Sequence, residues 1–375
     1  MIDGTKSMSP AGALSAQLRI DLAALISNYK LLKDKAAPAK TAAVVKADAY
    51  GLGMKEVALS LAGVGVDCFF VAQVSEGIKL RQILNTFKNR PADIFVFAGL
   101  QPGSETFFIK HNLIPVLNSL PEIDRWAGCG RQPAAIQLDT GMNRLGLDEH
   151  TIEELHVCPQ RLKNLDLKLI MSHFACADDP QHPLNQTQLE RFRALKEKLP
   201  SAPASISNSA GIFLGSAAHF DVVRPGIALY GGNPQTGAPN PMRPVISLSA
   251  PILQIREVEA GQTIGYGATY RTNTFSRIAV ISLGYADGFL RCFGQKATLR
   301  LAGAMVPIVG RVSMDLIALD VTAIPGAQIQ VGDRVNILDT STTIDDLALA
   351  GGTISYEILT LLGLRYEREY VQVGG

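Results

Sequence analysis

Residues 41–46 read Thr41-Ala-Ala-Val-Val-Lys46, an apolar run that stops on a charge. A run without alternating polar positions suits a strand buried on both faces, as in a parallel sheet. Comparable runs recur at 67–72, 93–98, 114–117, 134–138, 168–172, 204–207 and 222–230, and helix-like segments such as 185–199 separate most of them. A helix is also expected after Asp21, a candidate N-cap, because Leu22, Leu25, Ile26, Tyr29 and Leu32 share one helical face. Strands of this kind alternating with helices predict an α/β fold with an N-terminal (β/α)8 TIM-type barrel. A doubly wound open sheet is the alternative, but its Gly-x-Gly-x-x-Gly fingerprint does not follow the first strand.

The pattern changes after residues 231–245, a stretch dense in Pro and Gly and the best domain boundary. Beyond it, 247–257, 277–282, 297–301, 314–321 and 334–338 read as strands without long crossover helices, and only 344–350 and 355–362 read as helices. That predicts a C-terminal, mostly antiparallel β domain. The expected division is a flexible N-terminal arm over 1–16, a barrel over 17–240 and a β domain over 241–375.

The composition fits two folded domains: 375 residues, 47% hydrophobic and 18% charged. With 35 basic and 34 acidic residues the net charge is +1, and no basic stripe points to nucleic acid. No apolar run approaches a membrane span, and the N-terminus lacks the pattern of a secretory signal. Five cysteines stand far apart without a Cys-x-x-Cys pair, so a reducing compartment, the cytoplasm, is expected, with the thiols acting as small buried hydrophobes. No metal site is expected.

Lys46 carries the first chemical signal. A lysine at the C-terminal end of a barrel strand stands where barrel enzymes do their chemistry, and a lowered pKa lets its amine form a Schiff base with an aldehyde. It opens onto Val44-Val-Lys-Ala-Asp-Ala-Tyr-Gly-Leu-Gly53, with Gln137-Leu-Asp-Thr-Gly-Met-Asn-Arg-Leu-Gly146, Met171-Ser-His-Phe-Ala175, Ser207-Asn-Ser-Ala-Gly211 and Arg224-Pro-Gly-Ile-Ala-Leu-Tyr230 following in the barrel half. The second half holds Ile264-Gly-Tyr-Gly-Ala-Thr-Tyr270, Leu283-Gly-Tyr-Ala-Asp-Gly288, Val309-Gly-Arg-Val-Ser-Met-Asp315 and Ser355-Tyr-Glu-Ile-Leu359.

This ordered set resembles the alanine racemase family, which depends on pyridoxal 5′-phosphate and has fold type III, a barrel followed by a β domain. The resemblance covers nearly the whole chain after the arm. It implies that Lys46 holds the cofactor and that Tyr266 is the second acid/base group. Arg144 and the backbone N–H of Met314 would then meet the substrate. Tyr50, Asn208, Ser209, Gly226, Ile227 and Tyr356 would surround the cofactor phosphate, and Arg224 the pyridine nitrogen, with His173 supporting it. Barrel enzymes commonly bind phosphate after the seventh and eighth strands, which fits the 207–211 and 224–230 motifs.

Racemisation takes a proton from one face of Cα and returns one to the other, so two acid/base groups must flank the substrate. By resemblance Lys46 serves D-alanine and Tyr266 serves L-alanine, with Tyr266 and Met314 supplied by the partner in a homodimer. The chain departs from the family's usual pattern at Asp48 (usually Asn), Leu52 (often His), Ser313 (often Cys) and Gln137. Many members carry a lysine at that last position, sometimes carbamylated, and glutamine cannot be carbamylated. Two readings compete with the racemase: a decarboxylase of the same fold type, for which no His-His-Gly or Gly-Gly-Gly run is present, and a non-catalytic barrel that only binds the cofactor. Supply of D-alanine for peptidoglycan and alanine catabolism both remain open as roles.

Overall fold

The computed structural model describes residues 15–86 and 92–372, and residues 1–14 of the expected arm over 1–16 lie outside them. The chain forms two compact units, one of residues 25–243 and the other of the N-terminal segment through Ala24 together with 244 onward.

The first unit is the barrel. Parallel strands Ala43–Val44, Cys68–Val71, Asp93–Val96, Ile114–Leu117, Gln132–Gln137, Leu165–Met171 and Ala204–Ser205 lie side by side in chain order. The eighth strand, Val222–Val223, closes the ring. On one side it pairs with Lys40–Thr41, continued by bonds from Ala42 N to Val223 O (2.9 Å) and from Val44 N to Pro225 O (3.0 Å). On the other, Asp221 N bonds to Ala204 O (3.0 Å) and Arg224 N to Ser207 O (2.9 Å). Every residue of Cys68–Val71 and Ile114–Leu117 is buried, which is why these runs carry no polar alternation. The eighth run is shorter than its apolar span suggests. Pro225 has no N–H to continue a ladder, and after Gly226 the chain turns into the 3-10 helix Ile227–Tyr230.

In the second unit the long strand Ile246–Val258 pairs over its first part with Arg334–Leu338 and over its second with Ser276–Ser282. Leu316–Asp320, Ala304–Val309 and Thr298–Leu301 complete an antiparallel ring between those two. Gln17–Asp21 also belongs here rather than with the barrel, where the expected division put it. It runs antiparallel to Ile246–Val258 and parallel to Glu367–Val371, with Leu18 and Ile20 fully buried. Asp21 caps the helix Leu22–Ala36, its Oδ1 accepting from Ala23 N and Ala24 N at 2.9 Å each.

Of the five free cysteines only Cys68 is buried, its thiol pushed up to about 12 by desolvation, while Cys158 and Cys292 are exposed rather than in the core. Among the described residues no helix is long and apolar enough to cross a membrane.

Candidate active site

Lys46 does not end its strand but opens the turn beyond it. Ala47, Asp48, Ala49 and Tyr50 all have φ between 52° and 57°, which makes one turn of left-handed helix from ordinary L-residues. Each such residue costs roughly 1–2 kcal/mol against its right-handed form, so four in succession must be held from outside. Gly51 and Gly53, with φ of 81° and 97°, let the chain leave the turn. Asp48 Oδ1 accepts from Met54 N at 3.1 Å and from Lys79 Nζ at 2.8 Å, and Glu76 Oε1 accepts from Ala47 N at 2.6 Å.

The turn carries Tyr50 across to the end of the eighth strand. Its ring stacks on Tyr230 (centroids 4.6 Å apart), and Tyr230 in turn donates from its hydroxyl to Val44 O at 2.8 Å. The Tyr50 hydroxyl reaches so close to Gly226 that no side chain could stand there. Ser209 Oγ accepts from Gly226 N (2.8 Å) and Ala228 N (3.2 Å), and Asn208 Oδ1 accepts from Gly211 N (2.9 Å). Tyr50, Asn208, Ser209, Gly226 and Ile227 thus come together where the first, seventh and eighth strands end.

Beside them lies Arg224, whose side chain is almost wholly buried. Its guanidinium donates to Ser205 Oγ, to Ser172 O at 2.5 Å and to Ile206 O at 3.4 Å. Its Nε has no partner although it is shielded from solvent. Burial pushes the group down to about 9, so it still carries its charge at neutral pH. His173 Nδ1 lies 3.5 Å from Arg224 Nη2, at the limit of a hydrogen bond, and its Nε2 lies 3.4 Å from Asn208 Nδ2. Burial first, then Arg224, Arg144 and Lys46, drive the imidazole down to about 3. His173 is therefore neutral, which suits support better than proton transfer. Burial and then the Arg144 guanidinium also hold the Lys46 amine below the usual lysine value, with Glu76 acting in the opposite direction.

Arg144 itself is exposed in the loop after Gln132–Gln137. That loop is built on backbone bonds: Asp139 Oδ1 accepts from the N–H of Gly141, Met142 and Asn143, and buried Gln137 donates from Nε2 to Leu145 O at 3.0 Å. Gln137 thus grips the backbone next to Arg144 rather than the guanidinium.

A further residue escaped the sequence reading. Gln188 is fully buried on the helix Pro183–Lys196. Its Nε2 donates to His173 O (2.9 Å) and Thr140 Oγ1 (3.2 Å), and its Oε1 accepts from Ala175 N (2.9 Å). It ties the loop of Arg144 to that of His173. The available signal was a glutamine at helical spacing from Leu189, Phe192 and Leu195 on the buried face.

Tyr266, Met314 and Tyr356 belong to the second unit. Tyr266 is 75% exposed on the 3-10 turn Tyr266–Ala268, between Gly265 and Gly267, both at positive φ. Met314 is 53% exposed in a turn whose carbonyls bind the 284–288 segment, Ser313 O accepting from Tyr285 N and Met314 O from Ala286 N at 3.0 Å each. Arg365 locks the two segments together, bidentate to Asp287 (2.6 and 2.8 Å) and single to Asp315 (2.7 Å). Tyr356 is partly exposed on the helix Ser355–Thr360.

The alanine racemase N-terminal domain profile matches residues 20–234 and the alanine racemase C-terminal domain profile residues 245–370. The chain belongs to the alanine racemase family. An alanine racemase of Rhizobium meliloti is 44% identical over 95% of this chain and 97% of its own length. A catabolic alanine racemase of Agrobacterium fabrum is 45% identical over 97% and 94%. Among solved structures, an alanine racemase from Bartonella henselae with covalently bound pyridoxal phosphate superposes with a TM-score of 0.91 at 38% identity, covering 95% of this chain and 99% of that one. Alanine racemases thus share both halves of the fold described above.

Proposed function

We propose that this protein interconverts L-alanine and D-alanine with pyridoxal phosphate as cofactor, using Lys46 and Tyr266 as the two acid/base groups. The observation that carries the reading is Arg224: a buried guanidinium whose Nε has no partner, beside His173, whose imidazole feels both Arg224 and Lys46. An aromatic ring nitrogen that accepts one hydrogen bond satisfies that Nε. A donor that keeps its proton leaves the ring nitrogen unprotonated. Tyr50, Asn208, Ser209 and the Ile227 N–H offer hydroxyl, amide and backbone donors for a phosphate, and Gly226 lets the backbone approach it closely. The residues present in the barrel unit therefore fit the cofactor, with His173 supporting Arg224; the resemblance to the family adds Tyr356 at the phosphate.

When bound, the cofactor draws electrons from Cα of an attached amino acid and so makes its hydrogen acidic. The protein's task is then to move that proton. Lys46, whose pKa burial and Arg144 lower, takes the proton on the D-alanine face. Tyr266 does so on the L-alanine face. Arg144 and the Met314 N–H hold the substrate.

Tyr266 and Met314 come from the partner subunit of a homodimer in this reading. Its support is that Tyr266, Tyr285, Met314 and Leu316 are 40–75% exposed on the second unit, apolar surface that a partner would cover. The five unpaired cysteines support a cytoplasmic location. The test is direct. The purified protein loaded with pyridoxal phosphate should turn L-alanine into D-alanine, and borohydride should fix the cofactor to Lys46. Release of carbon dioxide, or retention of cofactor without racemisation, would rule the reading out.

A further inference from the structure

Glu76 is the third residue of the helix Val74–Asn85, and its two carboxylate oxygens serve different parts of the chain. Oε2 accepts from Gln73 N at 3.1 Å and Ala72 N at 2.8 Å, which caps the helix to which Glu76 belongs. Capping needs nothing more. Yet Oε1 reaches the N–H of Ala47 at 2.6 Å, the residue directly after Lys46 and the first of the left-handed turn. One carboxylate therefore joins the end of the second barrel strand, the start of the next helix and the backbone that bears the lysine. A second tie, Lys79 to Asp48 at 2.8 Å, comes from the same face of that helix. Both its side chains are roughly half exposed, so solvent screens it and little of the hold comes from there.

We propose that Glu76 is a positioning residue for the reaction: by holding the Ala47 N–H it fixes the backbone from which Lys46 extends, and so where the amine stands. The inference rests on the assignment of Lys46 as the cofactor lysine. Glu76 is also the one acidic group that offsets burial and Arg144 at that amine.

Glu76→Gln is the test, with Lys79→Met as control. The amide has one oxygen, so it cannot accept on both sides, and its NH2 must face an N–H that the carboxylate served. Glu76→Gln should lower kcat about ten- to hundredfold while KM for alanine stays within about threefold. The visible circular dichroism of the bound cofactor should change, because its anchoring chain has shifted. Lys79→Met should stay within about twofold of wild type. Glu76→Asp is the second variant if the amide is unstable: one methylene shorter, it keeps a helix-capping carboxylate but falls short of Ala47. It should show the same kcat loss with a melting temperature near wild type. Unchanged kcat and dichroism in both Glu76 variants, with borohydride still labelling Lys46, would overturn the inference, and so would an equal loss in Lys79→Met. Labelling of another lysine in the wild type is a different outcome: it removes the Lys46 assignment itself.

Discussion

The Tyr50 hydroxyl oxygen lies 2.2 Å from the place a Cβ on Gly226 would occupy. The end of the first strand and the end of the eighth are thus in contact through one hydroxyl and one absent side chain. Gly226→Ala should drive the tyrosine away. Overpacking a tight site costs about 1–3 kcal/mol, equal to roughly ten- to hundredfold in cofactor affinity if it falls on the bound state. Adding Tyr50→Phe should recover only part, since the ring carbon bearing the hydroxyl is itself 3.0 Å from that Cβ. Titration with pyridoxal phosphate, followed by absorbance, checks both. Full affinity in Gly226→Ala would show that Tyr50 yields freely.

His173 makes the protein acid-sensitive in a defined window. Its folded pKa is about 3 against 6.5 for the ordinary group. Between those values the unfolded chain takes up a proton that the folded chain refuses. Stability is therefore intact above about pH 6.5 and falls as the pH drops toward 3, by up to about 1.4 kcal/mol per pH unit. His173→Asn should flatten that slope in denaturant unfolding of the cofactor-free protein. Identical slopes would mean that the imidazole is already protonated in the fold.

Removing Gln188 should loosen two loops at once. Gln188→Leu leaves Thr140 Oγ1 short of a bond in a buried place, and His173 O and Ala175 N short of one where they are partly buried. A buried polar group left unpaired costs about 1–3 kcal/mol. Thermal unfolding should register that loss, and kcat should fall with it because Arg144 and His173 lie on those loops. A drop in stability with wild-type kcat would confine Gln188 to packing.

Mixed dimers test whether two chains share a site. Lys46→Ala and Tyr266→Phe homodimers should each be nearly inactive, losing about 10²–10⁴-fold as expected for an acid/base group. Their heterodimer should regain activity, because one of its two sites then holds both wild-type groups. Proton exchange in deuterated water adds the stereochemistry. Tyr266→Phe should still exchange the α-proton of D-alanine, through Lys46, and exchange that of L-alanine far more slowly. No recovery after proven chain exchange would exclude the shared site.

The barrel was legible because strands buried on both faces leave no choice of pattern, as at 68–71 and 114–117. The strands that escaped notice lack that signature. Ala304–Val309 contains Pro307, which reads as a breaker, yet it pairs in register with Thr298. Glu367–Val371 has no fully buried residue, as befits the end of a sheet, so it reads as loop. In the candidate site, the motifs pointed to residues that the fold brings close: Tyr50, Ser209 and Gly226 meet at the strand ends, and Arg224 stands beside His173. Glu76 and Gln188 were missed because they act on backbone groups of distant segments. The left-handed turn was missed for another reason: Ala47, Ala49 and Tyr50 do not favour that conformation, Asp48 favours it only weakly, and the surrounding bonds impose it.

The placement of Gln17–Asp21 bears on how the protein is made. Its two neighbours, residues 246–249 on one side and Glu367–Val371 on the other, emerge from the ribosome more than two hundred residues later. The barrel can close as soon as residue 225 is out, but this strand must wait, with Leu18 and Ile20 uncovered, for residues 246–249 on one side and 367–371 on the other. The first strand among the described residues is thus among the last to be paired. Throughout that interval it is an open β-edge, and a chaperone or a neighbouring nascent chain would find it before its own partners arrive.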